Sequence, residues 1–164
     1  MFIPYLIAGS SILIGYALGH FTQEELKQGT IYFHVLCLLS LTFMLSISFF
    51  LFPLSLLPLF IGAVAGYFLP YPLIYTGFLL NHTLLSKQVF FLLSSLTFVY
   101  GLARGSLFYV TNTLFAAFLT FAIFLISFAF PFSSVTLISF LTGTLISCSI
   151  KELPHVIPHR HRPQ

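Results

Sequence analysis

Four side chains in this sequence are of types that bind divalent metal: His20, Glu24, His34 and His82. His20 and Glu24 are four apart, a spacing that sets two groups on one face of a helix. His34 follows about one turn inside a long apolar stretch, and His82 belongs to a later polar loop. Three or four nitrogen and oxygen ligands suit zinc. These residues therefore offer a candidate zinc site, and with it a membrane-embedded, metal-dependent enzyme, while the leading expectation is no cofactor. Against that, they come from separate segments, carry no HExxH or similar local signature, and each also reads as an ordinary interfacial polar residue. His34 stands out, because an ionisable group inside a span is rare and often functional.

A second set is built for binding rather than catalysis. In "GYFLPYPLIYTG", Pro70 and Pro72 interrupt an apolar run, with Tyr71 and Tyr75 beside them. A helix broken within a membrane frees carbonyl and N–H groups that can hold a solute or ion. The leading reading is an aromatic belt at the membrane interface, with Leu69 as the end of the span. The alternative makes Pro70, Tyr71, Pro72 and Tyr75 the substrate or pore candidates.

What is missing limits the chemistry further. The chain has no Asp, and its only acids are Glu24, Glu25 and Glu152. Aspartyl protease chemistry, which needs two such carboxylates, is excluded. Proton coupling through acids buried in spans finds little support. Cys37 and Cys148 lie in separate apolar runs and form no CxxC motif. The tail "KELPHVIPHRHRPQ" brings His155, His159 and His161 near two arginines, the pattern of a solvated or headgroup-contacting end. Asn81-His82-Thr83 matches a glycosylation sequon.

The elements that must position these residues follow from composition. Hydrophobic residues make up 59% of the chain and charged residues only 5%, with a mean hydropathy of +1.07. A water-surrounded domain carries roughly a quarter charged residues, so the lipid bilayer is the expected surrounding. The few scattered cations argue against nucleic acid as a partner and read as topology markers. The runs are continuous rather than alternating, which selects helices over a membrane barrel. The expected fold is an all-α, polytopic transmembrane helix bundle.

Apolar runs at 2–19, 31–52, 54–69 (or on to 80), 89–103, 107–130 and 135–150 predict about six spans. They make one transmembrane domain over residues 1–150, followed by a polar basic tail over 151–164. Pro53 and Pro131 end two of the runs, since proline cannot continue a helix ladder. Thr22 and Glu25 have the spacing of a capping box, and Gly29 either closes a short turn or lies within a helix running into the second span. With six spans, Arg104, Lys151, Arg160 and Arg162 share one side and Lys27 and Lys87 the other. Positive-inside then places both termini in the cytoplasm, and Cys37 and Cys148 near opposite faces.

Two further patterns concern architecture. When Phe50 is laid on Phe128, "FLFPLS" falls on "FAFPFS", and Leu36, Leu41, Thr42, Phe43 and Pro53 also meet identical residues. Gly15-to-Gly19 likewise resembles Gly101-to-Gly105. A three-plus-three arrangement follows, and an odd number of spans per unit makes it an inverted repeat, as in many transporters. The pairs Gly15/Gly19, Gly62/Gly66 and Gly101/Gly105, extended by Ser139, Gly143 and Ser147, predict close helix packing. That packing serves the bundle itself, self-association, or membrane partner subunits. A small solute transporter or permeation subunit is the leading functional expectation. A structural or assembly subunit of a membrane complex and the metal enzyme are the alternatives.

Overall fold

The computed structural model describes residues 2–69, 71–80, 86–128 and 134–156. Seven helices are found among them: α1 (Phe2–Phe21), α2 (Gln23–Leu51), α3 (Leu56–Phe68), α4 (Pro72–Leu80), α5 (Lys87–Val110), α6 (Leu114–Phe128) and α7 (Val135–Val156). The described residues include no strand. Four helices are long and apolar enough to cross a membrane, at Ile3–Phe21, Gly29–Leu51, Lys87–Val110 and Val135–Val156. Their flanks agree: Phe50 is 89% exposed and Ile3 71%, a cost in water and none in hydrocarbon.

Local sequence sets the helix ends. Pro53 stops α2 at Leu51, leaving Phe52 N–H to bond Ser48 O at 3.2 Å. Ser86 caps α5 by accepting from Val89 N–H at 3.4 Å. The hydroxyl of Thr22 turns back to Leu18 O at 3.0 Å instead of capping α2, so the expected capping box does not form. Its carbonyl and N–H already continue helical bonds through the turn. Gly29 lies within α2.

The largest departure from expectation is at "LPYP". Residues before proline are disfavoured in the α region, which constrains Leu69 and Tyr71, while Pro72 suits the first position of a new helix. The chain turns there, with Tyr71 N–H on Leu69 O at 2.9 Å and Tyr75 Oη donating to the same carbonyl at 2.7 Å. Helix α4 then runs back beside α6, bringing Gly77 against Phe124 and Ser127. The third run is therefore two helices of opposite direction, neither a single span nor a span broken in line.

Contacts fix the directions of the rest. Gly15 meets Leu102 and Gly19 meets Tyr109, so α1 and α5 run parallel. Gly62 meets Phe140 and Gly66 meets Thr144, so α3 and α7 run parallel too. His34 meets Glu152, which sets α2 against α7. Odd-numbered helices run one way and even-numbered ones the other. Phe2 and Val156 consequently lie at opposite ends of the bundle, called here the Tyr5 end and the Tyr109 end. The six-span count and the inverted repeat expected from the sequence are not confirmed: four helices have span length, and α1 with α5 and α3 with α7 run parallel.

The small-residue pairs do seal helix to helix. A Cβ at Gly15 would fall on the carbonyl of Leu102, and one at Gly105 on that of Ile12. Gly62 and Gly143 stand equally close to backbone across α3 and α7. Hydroxyls close the same seams: Ser106 Oγ donates to Gly15 O at 3.0 Å, Ser55 N–H donates to Ser139 Oγ at 2.9 Å, and Ser147 Oγ donates to Ala63 O. Elsewhere hydroxyls bond back one turn within their own helix, as Ser48 does to Met44 O at 3.0 Å and Thr97 to Leu93 O at 2.8 Å. Most buried hydroxyls are thus bonded, Ser94 and Tyr100 being exceptions among the described residues, while Ile12, Leu41, Met44, Phe124, Ile138 and Leu145 fill the core.

Candidate functional site: a buried ion cluster beside a cleft

Three charged or ionisable side chains meet where α2, α5 and α7 approach the Tyr109 end. Arg104 donates from a terminal guanidinium nitrogen to one carboxylate oxygen of Glu152 at 2.8 Å. His34 Nδ1 lies 2.9 Å from the other oxygen. The carboxylate side chain is only 8% exposed. The ring of His155, one turn further along α7, stacks on that of His34 at 4.7 Å between centroids. The guanidinium also lies over the Phe108 ring, 5.4 Å from its centroid. Helix α5 continues to Val110, about 9 Å beyond Arg104 at 1.5 Å per residue, and His34, Arg104 and Glu152 all lie inside the helices of membrane-spanning length. Cys37 and Cys148 are each one helical turn from it, on α2 and α7, and both are buried and free. They do not lie near opposite faces, as six spans required.

A cleft of about 140 Å³ reaches this cluster, lined among others by Tyr71, Pro72, Tyr100, Arg104, Phe108 and Thr120. Tyr100 is fully buried, and its hydroxyl has no hydrogen-bond partner among the described residues. An unsatisfied buried hydroxyl costs about 1–3 kcal/mol, and native proteins keep few of them. Thr120 Oγ1 donates to Ala116 O at 2.7 Å and keeps an acceptor free. The cleft therefore presents an arginine, an uncommitted phenol and a threonine in otherwise apolar walls.

The pore candidates are divided by these findings. Tyr71 and Pro72 line the cleft, and Tyr75 lines the adjoining cavity between α4 and α6. Pro70 lies outside the described residues. The described members of the candidate zinc set, His20, Glu24 and His34, are not brought together. His20 pairs with the Tyr109 hydroxyl at 3.3 Å, Glu24 is exposed at the α1–α2 turn, and His34 belongs to Glu152. His82 lies outside the described residues, as do Asn81, His159 and His161. Among the described residues no three His, Cys, Asp or Glu side chains gather closely enough to hold a metal ion.

Arg104 and Glu152 were not among the expected site residues, although their signals were present. Arg104 stands between Gly101 and Gly105 in a close-packing motif, where a charge within a span demands a partner. Of three acids, Glu24 and Glu25 flank the first turn, which leaves Glu152. Reading residue 103 as a helix end and residue 151 as the start of a tail hid both, whereas α7 runs on to Val156. No protein-family model matches this chain, and no curated protein or solved structure matches it either.

Proposed function

We propose that this chain is a multi-pass membrane protein that binds and passes a small solute, as a transporter or permeation subunit, through the cleft at the α4 turn. The observation that carries the reading is the cleft between Tyr71–Pro72 and Arg104, backed by the Glu152–His34 pair. A buried carboxylate and imidazole are costly in hydrocarbon and are typical of solute and proton pathways. Glu152 supplies the membrane acid that the sequence reading placed in a tail. A buried ion pair is weak evidence for stability alone, which favours a role in binding. Lys27, Arg104 and Lys151 belong to the Tyr109 end and Lys87 to the Tyr5 end, so positive-inside supports a cytoplasmic Tyr109 end.

Thiol access tests this without knowledge of the solute. In a Cys37→Ala, Cys148→Ala background reconstituted in sealed vesicles, Thr120→Cys is expected to react with a membrane-impermeant thiosulfonate. Ser11→Cys, within the α1–α5 seam, is expected to stay unmodified. Equal inertness of the two would remove the permeation reading. A second reading has one specific support: α3 packs on α7 alone among the described helices and leaves Leu57, Phe60, Val64 and Phe68 exposed. That flank suits a subunit that assembles with a second copy or another membrane protein. Cross-linking in native membranes through Phe60→Cys tests it, and a purely monomeric product would count against it.

A further inference from the structure

The cleft beside Arg104 does not end at Thr120. Tyr71 and Thr120 also line a larger cavity of about 340 Å³ between α4 and α6, walled by Ile74, Tyr75, Leu119 and Ile123. The two spaces share these two walls and differ in chemistry. One holds Arg104 and the unpartnered Tyr100 hydroxyl; the other is almost wholly apolar. Together they form one groove with a polar end and an apolar end.

The polar end is a donor site. Arg104 has five N–H donors in a planar fork, and Glu152 engages one of its terminal nitrogens. The Tyr100 hydroxyl adds a donor with no acceptor among the described residues. Donors of this kind recognise an oxyanion. The apolar end accepts methylene groups and nothing charged. A ligand that satisfies both ends must carry an oxyanion on an acyl chain.

We propose that the groove binds a single-chain amphiphile with an oxyanion head, a carboxylate or a phosphate, held by Arg104 and Tyr100 with its chain along α4 and α6. This rests on reading the cleft as a solute site and names the class of that solute.

The test uses the full chain in dodecyl maltoside, whose sugar head carries no oxyanion, and palmitate bearing a diazirine near its methyl end. Light-induced adducts are expected on Ile74, Leu119 or Ile123. Excess palmitate or single-chain lysophosphatidate should compete, and hexadecanol should not. Competition by only one of the acids identifies the head as carboxylate or phosphate. Tyr100→Phe removes an uncommitted hydroxyl, so its thermal stability should equal or exceed that of the parent, while its labelling affinity falls roughly tenfold, the worth of one hydrogen bond to a charged group. Ala116→Leu, which narrows the apolar end, should also lower labelling. Hexadecanol competing as well as palmitate, or Tyr100→Phe labelling like the parent, overturns the proposal. If that happens while Thr120→Cys is still reached from water, the cleft reading survives and only the amphiphile fails. Head-dependent labelling with Thr120→Cys unreached keeps the amphiphile and removes permeation.

Discussion

The α1–α5 and α4–α6 regions are made from the same greasy alphabet and do opposite things with it. In the first, Gly15 and Gly105 bring two backbones into contact, and Gly19 and Gly101 seat the side chains of Tyr109 and Ser11. In the second, the proline-started α4 is only nine residues long and meets α6 closely at Gly77, while a cavity opens between the two helices beside Tyr71 and Tyr75. Polar groups differ between the glycine seam and the cleft, though Ser94 on α5 also has a buried hydroxyl with no partner among the described residues. Near α1 and α5, Ser11 and Ser106 are bonded to carbonyls at 2.6 and 3.0 Å. Beside α4, Tyr100 has no such partner and Arg104 lines open space. Close packing fixes the frame, and the short α4 packs closely only over part of its length, with a cavity beside the rest.

The largest expected effect breaks the polar side of this contrast. Arg104→Met leaves Glu152 buried without its cation, and should cost about 4 kcal/mol, the range seen when one partner of a buried pair is removed. Adding Glu152→Leu to it should recover most of the loss, because paired apolar replacements are often neutral or better. Thermal unfolding of both variants in detergent checks this, and equal losses in the two would show that the pair does not behave as one unit.

Next comes the frame itself. Gly105→Leu must push its side chain into the backbone of Ile12 and should destabilise by about 1–3 kcal/mol or more. Gly29→Ala, whose Cβ would meet nothing nearer than 3.9 Å, should stabilise α2 by up to about 1 kcal/mol. If both variants melt alike, the seam is not where the helices are held.

The smallest effect compares two tyrosines. Tyr5 Oη donates to Phe124 O at 2.7 Å, so Tyr5→Phe should lose about 1 kcal/mol. Tyr100→Phe gives up no partner and should lose nothing. A matching loss at Tyr100 would mean that its hydroxyl is already satisfied and the cleft is not waiting for an acceptor.

Much of the frame was legible in the sequence. Composition alone required apolar helices, and the small residues four apart marked the seams, down to Ser139, Gly143 and Ser147 facing Gly62 and Gly66. The choice of partners was not legible, because glycine spacing says how closely a helix is approached and not by which neighbour. The turn at residues 69–72 was the costly omission. Two prolines two apart permit an interfacial end, a break in line or a reversal, and only contacts from α6 and α1 decide among them. Missing that reversal set His34 and Arg104 on opposite faces on paper. That Tyr71 and Pro72 lie at an irregular point of the chain was legible because proline geometry is local, while the Arg104–Glu152–His34 cluster depends on the direction of every helix between residues 34 and 152.

That dependence gives the account its most direct test. Thr22, Ser86 and Thr111 are exposed at helix junctions. Each is replaced by cysteine in the Cys37→Ala, Cys148→Ala background and challenged in sealed, oriented vesicles with an impermeant thiol reagent. A seven-helix order that gathers the cluster requires Thr22→Cys and Thr111→Cys to react from the same side and Ser86→Cys from the other. Reaction of Thr22→Cys and Ser86→Cys from one side, with Thr111→Cys opposite, would restore six rods and separate His34 from Arg104 and Glu152.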